Sequence, residues 1–332
     1  MTAQAIEELF ESFKNKKVLI IGDVMVDAYL FGKVDRISPE APVPVVSVTG
    51  RHSRMGGAAN VALNISALGA TPFLCSVIGN DVRGNEFIAL LEKRGMSSLG
   101  IIKSNNRPTT TKFRILGNNV QMLRVDEEVE LYINRHEEKD LLIKIQEIID
   151  KEQIDAIIFE DYDKGSITPN LINSVVKIAK KKNIIITVDP KKRNFNYYSN
   201  LTLLKPNLKE LKEGIGIEIE NGNIHSIRDA AMELLRKNNL DILIVTLSEH
   251  GVLICEKNLQ THIPANIRNI ADVSGAGDTV IATLTLALAI GLSPVDSAKL
   301  ANLAGGLVCE EIGVIPIDKG KLLKEAQKVL KY

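Results

Sequence analysis

The chain has 332 residues, of which 45% are hydrophobic and 25% charged, enough for one large α/β domain with a well-buried core. Its 41 basic and 41 acidic residues cancel, so no overall field attracts nucleic acid or an anionic membrane. The three cysteines are far apart and form no metal-binding spacing. The longest nearly apolar run, residues 280–290, is shorter than the roughly 20 residues that cross a bilayer. We therefore expect a soluble cytoplasmic protein with reduced thiols.

Short β-branched runs alternate with amphipathic helical segments along most of the chain. Residues 1–17 are typical of an amphipathic helix. The pattern then predicts strands at 18–22, 73–78, 155–159, 184–189 and 242–246, and helices at 60–68, 86–94, 137–151, 168–182 and from 279 to the end. Strands with apolar residues on both faces are typical of a mostly parallel sheet. The sequence thus predicts an α/β fold with helices covering both faces of the sheet.

Two segments interrupt this alternation. Residues 35–48 contain three prolines among four valines, and residues 109–125 alternate apolar and polar side chains without a helical period. Proline confines a strand to an edge or to a sheet with few partners. The two segments therefore predict a small second sheet that projects from the main domain, and a pair of irregular surface loops is the alternative.

The strongest chemical signal is the string Asp-Val-Ser-Gly-Ala-Gly-Asp at 272–278, directly before an apolar helix. Gly275, Ala276 and Gly277 let backbone N–H groups converge at the helix N-terminus, where the helix dipole favours an anion. Asp278 is placed to accept the proton of an attacking hydroxyl while this nest stabilises a phosphoryl group in transfer. A glycine-rich turn capped by an aspartate is the alternative. The length of the string favours the anion site over this structural alternative.

A second glycine-rich string, Arg-Met-Gly-Gly-Ala-Ala-Asn at 54–60, also opens a helix. Gly56 and Gly57 allow a ligand close to the backbone, and Asn60 supplies a donor and an acceptor for sugar hydroxyls. Asp27 is predicted in the loop after the first strand, at the carboxyl end where open α/β sheets bind ligands. A carboxylate there can hold a diol.

Together the two strings resemble the paired signatures of the ribokinase-like (pfkB) family of carbohydrate kinases, and the resemblance covers essentially the whole chain. It implies one kinase domain over residues 1–332, a three-layer αβα sandwich, and a β-sheet lid at about 28–50 and 107–126. No Walker-type phosphate loop is present, so the cradle is assigned to 275–278. The resemblance implies ATP and Mg²⁺ as cofactors, with a monovalent cation as a further candidate. It also implies that six residues lie on the nucleotide side: Asn207, Glu210, Thr246, Ser248, Gly251 and Asn302. Among them, Glu210 is implied to organise the metal indirectly.

Within the family, the strings at 22–27, 36–46, 111–114 and 121–126 are most similar to heptose 7-phosphate kinases. This resemblance implies transfer of the γ-phosphoryl group of ATP to the anomeric hydroxyl of D-glycero-D-manno-heptose 7-phosphate. No H-x-G-H nucleotidyltransferase motif is present, so a separate partner is expected to add the nucleotide. The alternatives are a kinase for ribose, fructose or fructose phosphate, and a non-catalytic sugar- or nucleotide-binding regulator. Three positions depart from the resemblance: Ser248 replaces the glycine that is usual in the wider family, Glu160 a usual serine, and Val314 a usual threonine.

A sugar that already carries a phosphate needs cations at the far end of its pocket. The resemblance brings five basic side chains and one carboxylate to the sugar side: Lys112, Arg114, Arg124, Lys164, Lys191 and Asp161. For any one basic residue, a solvated surface charge is the alternative. A small sheet with unpaired edges also invites a second copy of itself, so a homodimer through the lid is expected.

Overall fold

The computed structural model of the protein describes residues 2–216, 223–265, 268–311 and 313–330. Its strands are β1 (Lys17–Gly22), β2 (Val24–Ile37), β3 (Pro44–Gly57), β4 (Thr71–Gly79), β5 (Gly100–Ser104), β6 (Thr111–Gly117), β7 (Val120–Glu127), β8 (Ala156–Glu160), β9 (Ile185–Asp189), β10 (Leu203–Leu204), β11 (Ile242–Thr246), β12 (Val252–Glu256) and β13 (Gln260–Ile263). Its helices are α1 (Ala3–Ser12), α2 (Ala58–Ala67), α3 (Val82–Lys93), α4 (Arg135–Lys151), α5 (Pro169–Lys182), α6 (Leu208–Ile215), α7 (Ile224–Lys237), α8 (Ala276–Ala289), α9 (Pro294–Val308) and α10 (Lys319–Val329).

Within these ranges, nine strands form one sheet in the order β13-β12-β11-β10-β9-β8-β1-β4-β5. Pairing is parallel from β11 through β5, and β12 and β13 add an antiparallel edge. The order of the strands reverses at β1 and β8. In open α/β sheets such a reversal leaves a crevice outside the carboxyl ends of the strands, where ligands bind.

Alternate side chains of each strand supply the cores on the two faces of the sheet. Ile20 and Ile158 pack on one face with residues of α2, α8 and α9, whereas Leu19 and Ile157 pack on the other with residues of α4, α5 and α7. The sheet therefore lies between two helical layers, as expected for strands that are apolar on both faces. None of the described helices is both long and apolar enough to cross a lipid bilayer.

A second sheet of four strands, in the order β3-β2-β6-β7, projects from this body. The first residues of β2 are buried in the main core, and its later residues become exposed. β2 pairs antiparallel with β3 and parallel with β6, and β6 pairs antiparallel with β7. We call these four strands the small sheet.

The predicted fold class is confirmed, and each predicted strand and helix overlaps an observed element of the same type. The small sheet is present in place of irregular loops, but its first two strands extend beyond the predicted segment 35–48: β2 begins at Val24 and β3 ends at Gly57. The placement of Asp27 in a loop was wrong. Asp27 lies within β2, because that strand begins only two residues after β1 ends.

Candidate active site

The glycine-rich string at 272–278 forms the start of α8. Gly275 is the N-cap residue in a left-handed conformation (φ 78°), and no side chain of the described residues caps this end. The N–H groups of Gly277 and Asp278 lie in the first helical turn, where the helix offers no acceptor. They are thus free to bind an anion, and the helix dipole adds to their attraction. The predicted nest is therefore present as an open helix N-terminus.

Asp278 lies in this first turn with its carboxylate buried. It accepts a hydrogen bond of 2.7 Å from Nδ2 of Asn60 and another of 2.7 Å from the hydroxyl of Tyr162. Burial raises the pKa of Asp278 to about 6, although both hydrogen bonds lower it. Such a carboxylate is ionised at neutral pH and basic enough to accept a proton from a hydroxyl.

Asn60 connects the two glycine-rich strings. It lies in the first turn of α2, directly after the strand that carries Gly56 and Gly57. Its Nδ2 binds Asp278, whereas its Oδ1 is buried and has no hydrogen-bond partner among the described residues. A buried amide oxygen without a partner is uncommon. Oδ1 is therefore available as an acceptor for a ligand hydroxyl beside the carboxylate.

Three charged groups at neighbouring strand ends complete this centre. Asp189 ends β9, and its carboxylate binds Nζ of Lys205 at 2.8 Å; both side chains are buried. A Cβ built on Gly277 would lie 3.6 Å from Oδ2 of Asp189 and 3.9 Å from that Nζ, so the ion pair adjoins the nest. Glu160 ends β8 beside Asp189. Burial, followed by the negative charges of Asp189 and Asp278, raises the pKa of Glu160.

The small sheet turns a polar face to this centre. Asp27 is buried, forms an ion pair with Arg114 of β6, and lies against the backbone of Gly56. The guanidinium groups of Arg54 and Arg114 lie 5.5 and 5.4 Å from the ring centroid of Tyr29. Nη1 of Arg54 also donates to the carbonyl oxygen of Val314, at 3.4 Å.

The other four predicted cations are bound to carboxylates. Lys112 contacts Asp126 and Glu128 at 3.2 Å each, and Lys164 contacts Glu128 and Glu130 at 2.8 and 3.1 Å. Glu128 thus forms ion pairs with both Lys112 and Lys164. The remaining pairs are Arg124 with Asp126 and Lys191 with Glu210.

Asp161 is not brought into this cluster. Its carboxylate is buried and accepts hydrogen bonds from Nδ2 of Asn194 (2.9 Å), the hydroxyl of Tyr198 (2.7 Å) and the N–H of Asp163 (2.9 Å). Burial raises its pKa to about 7. These three donors hold the carboxylate inside the protein, and the predicted contact of Asp161 with a sugar stays a prediction.

The residues predicted for the nucleotide side lie along β11 and its neighbours. Asn207 and Glu210 form a capping box at the start of α6, and Asn207 bridges to Thr246 at the end of β11. Ser248 and Gly251 have positive φ in the turn before β12. Nδ2 of Asn302, on α9, donates to the carbonyl oxygen of Pro264 at 3.3 Å. These predicted positions therefore come together around one edge of the large sheet.

Sequence reasoning missed four side chains of the centre, those of Glu160, Tyr162, Asp189 and Lys205. Each follows or ends a buried strand, and the carboxyl ends of parallel strands meet at one edge of the sheet. That position is the signal that could have identified them. None of the four belongs to a contiguous glycine-rich string.

Residues 15–319 match the family model described as pfkB family carbohydrate kinase. Two similar curated proteins are both named bifunctional protein HldE. The one from Helicobacter pylori (strain J99) is 39% identical over 299 residues, which cover 90% of this chain and 64% of that protein. The one from Methylobacillus flagellatus is 40% identical over 310 residues, 93% of this chain and 63% of that protein. The chain thus spans slightly less than two thirds of these relatives.

Solved structures of similar fold include phosphofructokinase-2 from Escherichia coli in complex with potassium. Its TM-score is 0.76 at 18% identity, with 95% of this chain and 99% of that chain covered. Ribokinase from Thermotoga maritima has a TM-score of 0.68 at 21% identity, with 94% and 99% covered. At these identities the likeness shows the ribokinase-like fold alone. Because the family model matches nearly the whole chain, the chain belongs to the pfkB family of carbohydrate kinases and is a sugar kinase, a phosphotransferase with an alcohol group as acceptor.

Proposed function

We propose that the chain transfers the γ-phosphoryl group of ATP to the anomeric hydroxyl of D-glycero-D-manno-heptose 7-phosphate. The product is the 1,7-bisphosphate, an intermediate of nucleotide-activated heptose synthesis, formed in the cytoplasm. Phosphoryl transfer is supported above all by one observation, the buried Asp278 at the open N-terminus of α8. The heptose phosphate is supported by the strings that resemble heptose 7-phosphate kinases and by the similarity to the two bifunctional relatives.

In this mechanism Asp278 accepts the proton of the sugar hydroxyl as its oxygen attacks the γ-phosphorus atom. The bond from the γ-phosphorus to the bridging oxygen breaks, and ADP leaves. The N–H groups of Gly277 and Asp278 stabilise the charge on the phosphoryl oxygens. Asn60 holds the carboxylate by its Nδ2 and offers its unpartnered Oδ1 to a sugar hydroxyl.

Recognition of the sugar is assigned to Asp27, Gly56 and Gly57, together with cations of the small sheet. Arg114 is held against Asp27 and the Tyr29 ring, a placement that presents a guanidinium beside the sugar pocket. Arginine is suited to this role because its planar fork matches two phosphate oxygens. Lys112, Arg124, Lys164 and Lys191 are further candidates, and each is paired with a carboxylate as Arg114 is with Asp27.

ATP is assigned to the edge formed by the turn after β11, the start of α6, and α9. Mg²⁺ fits the donor set: Glu210 lies at the start of α6, and Glu160 has a buried carboxylate oxygen without a described partner. When bound, Mg²⁺ supplies positive charge to the phosphate oxygens. Glu210 is assigned an indirect contact with it. The role of a monovalent cation stays a prediction.

The small sheet is proposed as a lid over the sugar. Arg54 of its polar face contacts Val314, which lies beside Gly275, and its strands leave the body beside the start of α2. Closing this face over the sugar would exclude water, which otherwise competes for the phosphoryl group.

The decisive experiment measures ADP release, by a coupled assay, over a panel of free sugars and sugar phosphates. The proposal expects the highest kcat/KM with D-glycero-D-manno-heptose 7-phosphate. Preference for ribose, fructose or fructose phosphate would assign another sugar to the same site. Sugar binding without turnover on any substrate would instead indicate a non-catalytic regulator.

A further inference from the structure

Glu160 is a buried acid to which the mechanism above gives no proton-transfer step. Its side chain is 1% exposed, and its Oε2 is buried with no hydrogen-bond partner among the described residues. Burying a carboxylate oxygen without a partner is unfavourable, or it shifts the group to its neutral form. The Oε2 atom of Glu160 is therefore available to bind a ligand or an ion.

The strand register shows which way Glu160 faces. It stands directly beside Asp189 in the parallel β8/β9 pair. Two residues earlier on the same face, Thr187 contacts Thr285 of α8 through their hydroxyl oxygens at 2.7 Å. Because side chains alternate along a strand, Glu160 and Asp189 both lie on the α8 side of the sheet. The open end of α8 carries the nest, so Glu160 faces the phosphoryl-transfer centre.

The charges around Glu160 are unbalanced. Its closest charged neighbours are Asp189, Asp278, Lys205 and Lys191, and Lys191 also binds Glu210. When all six groups are ionised, four carboxylates face two ammonium groups, which leaves two negative charges. One divalent cation balances this excess.

The described residues contain no group of three or more acidic, histidine or cysteine side chains that could hold a metal ion unaided. Phosphotransfer sites do not need one. Mg²⁺ bound with a nucleotide takes one or two carboxylates from the protein and completes its octahedron with phosphate oxygens and water. A single free carboxylate oxygen beside the nest suits this arrangement.

We propose that Glu160 binds, through Oε2, the divalent cation that accompanies the nucleotide. This inference rests on the proposed use of a metal-bound nucleotide, and it gives Glu160 a contact distinct from the indirect one assigned to Glu210. The alternative is a buried acid that only supports the fold. The two readings differ in whether Glu160 affects nucleotide binding when no metal is present.

The test measures the affinity for ADP by calorimetry, once with saturating Mg²⁺ and once with EDTA. Glu160→Gln keeps the shape of the side chain and removes the charge. We expect it to lower the ratio of the two affinities by about tenfold or more, since loss of even outer metal contacts costs about 10- to 100-fold. Its affinity in EDTA should stay within about twofold of wild type. Mn²⁺ bound with ADP, counted by electron paramagnetic resonance, should weaken in parallel.

The matched control is Glu137→Gln, the same change at another buried glutamate, which caps α4 on the opposite face of the large sheet from α8. It should leave the affinity ratio unchanged. Glu160→Asp keeps a carboxylate and should retain part of the metal dependence, which keeps the inference testable if the Gln variant folds poorly. An unchanged ratio in both Glu160 variants would overturn the inference alone. A wild-type protein that binds ADP equally well with and without Mg²⁺ would also overturn the proposed metal-nucleotide chemistry.

Discussion

At the scale of single residues, Asp278 carries the clearest prediction. Asp278→Asn keeps the side-chain shape and removes the base, so turnover should fall by about 10²-fold or more while ADP affinity changes little. The folded protein holds this carboxyl at a raised pKa, so the group stabilises the fold below its unfolded pKa and loses that effect as pH rises through about 6. The variant should therefore melt no lower than wild type at neutral pH. Turnover within a few fold of wild type would remove Asp278 from the base role.

Asp278 also predicts how kcat depends on pH. Because protonated Asp278 cannot accept a proton, kcat should fall as pH drops below about 6. The Tyr162 hydroxyl donates to the carboxylate and lowers its pKa, so Tyr162→Phe should move the acidic limb to higher pH. The half-exposed Tyr197, changed to Phe, is the control and should leave the profile in place. A limb that stays at the wild-type position in Tyr162→Phe would contradict this assignment.

Arg114 predicts how the sugar phosphate is recognised. Lysine keeps the charge but lacks the guanidinium fork, so Arg114→Lys should raise the KM for the sugar phosphate by about tenfold or more and leave the KM for ATP unchanged. Arg51→Lys is the control, since Arg51 is an exposed arginine of β3 in the same small sheet. Steady-state kinetics with each substrate varied in turn measure both effects. Equal KM values for the sugar in all three proteins would place Arg114 outside the phosphate site.

The sequence could predict those site residues that belong to one contiguous string. Asp278 and Asn60 were found because each closes a glycine-rich string whose local chemistry is visible without tertiary structure. Lys205 and Tyr162 were missed because they reach the centre from separate strands and belong to no string. Asp161 shows a related limit: adjacent residues of an extended segment face opposite sides, so its proximity in sequence to Glu160 does not by itself bring its carboxylate to the face where Glu160 lies.

At the scale of elements, the start of α8 depends on Gly275. Its φ of 78° is strained for other residues, and an added Cβ would lie 2.9 Å from Nδ2 of Asn60. Gly275→Ala should therefore disturb the nest and the Asn60 contact together, weakening ADP binding and lowering kcat by about tenfold or more. Gly291→Ala, at the other end of the same helix, has a similar φ of 88° but open space around the new Cβ.

This pair separates backbone strain from the site itself. Both alanine variants should lose about 1 kcal/mol of stability because both place a side chain at positive φ, and Gly275→Ala should lose more because its Cβ also meets Asn60. Only Gly275→Ala should lose activity. Equal activity in the two variants would mean that the nest tolerates a Cβ and that its geometry matters less than we infer.

The small sheet shows how far element prediction extends. Its alternating pattern and prolines predicted a sheet of few partners, and Pro44 indeed begins β3 rather than interrupting it. The lengths of β2 and β3 were not predictable from periodicity alone. Both strands continue into the main core, where Val26 and Met55 are buried. In that part of each strand the side chains no longer alternate between buried and exposed, because consecutive residues are all buried.

At the scale of the whole molecule, the small sheet leaves apolar side chains in solvent. Leu123 is 54% and Val125 46% exposed, and by strand alternation both lie on the face opposite Arg124 and the sugar pocket. Phe31 is exposed on the other face, where it stacks on Tyr29. Exposed apolar side chains such as Leu123 and Val125 mark a candidate interaction site, and a two-fold copy of the same sheet is the simplest partner.

We therefore expect Leu123→Glu combined with Val125→Glu to convert a dimer into a monomer, because the new charges would be buried against their own copies. A lid that has lost its support should hold the sugar more weakly and exclude water less well. The KM for the sugar and the rate of ATP hydrolysis without sugar should both rise, as followed by ADP release beside mass in solution. Leu99→Glu, at an exposed leucine outside the small sheet, is the control and should change neither. A double variant that stays dimeric and tightly coupled would show that this apolar face serves neither as the contact nor as the support of the lid.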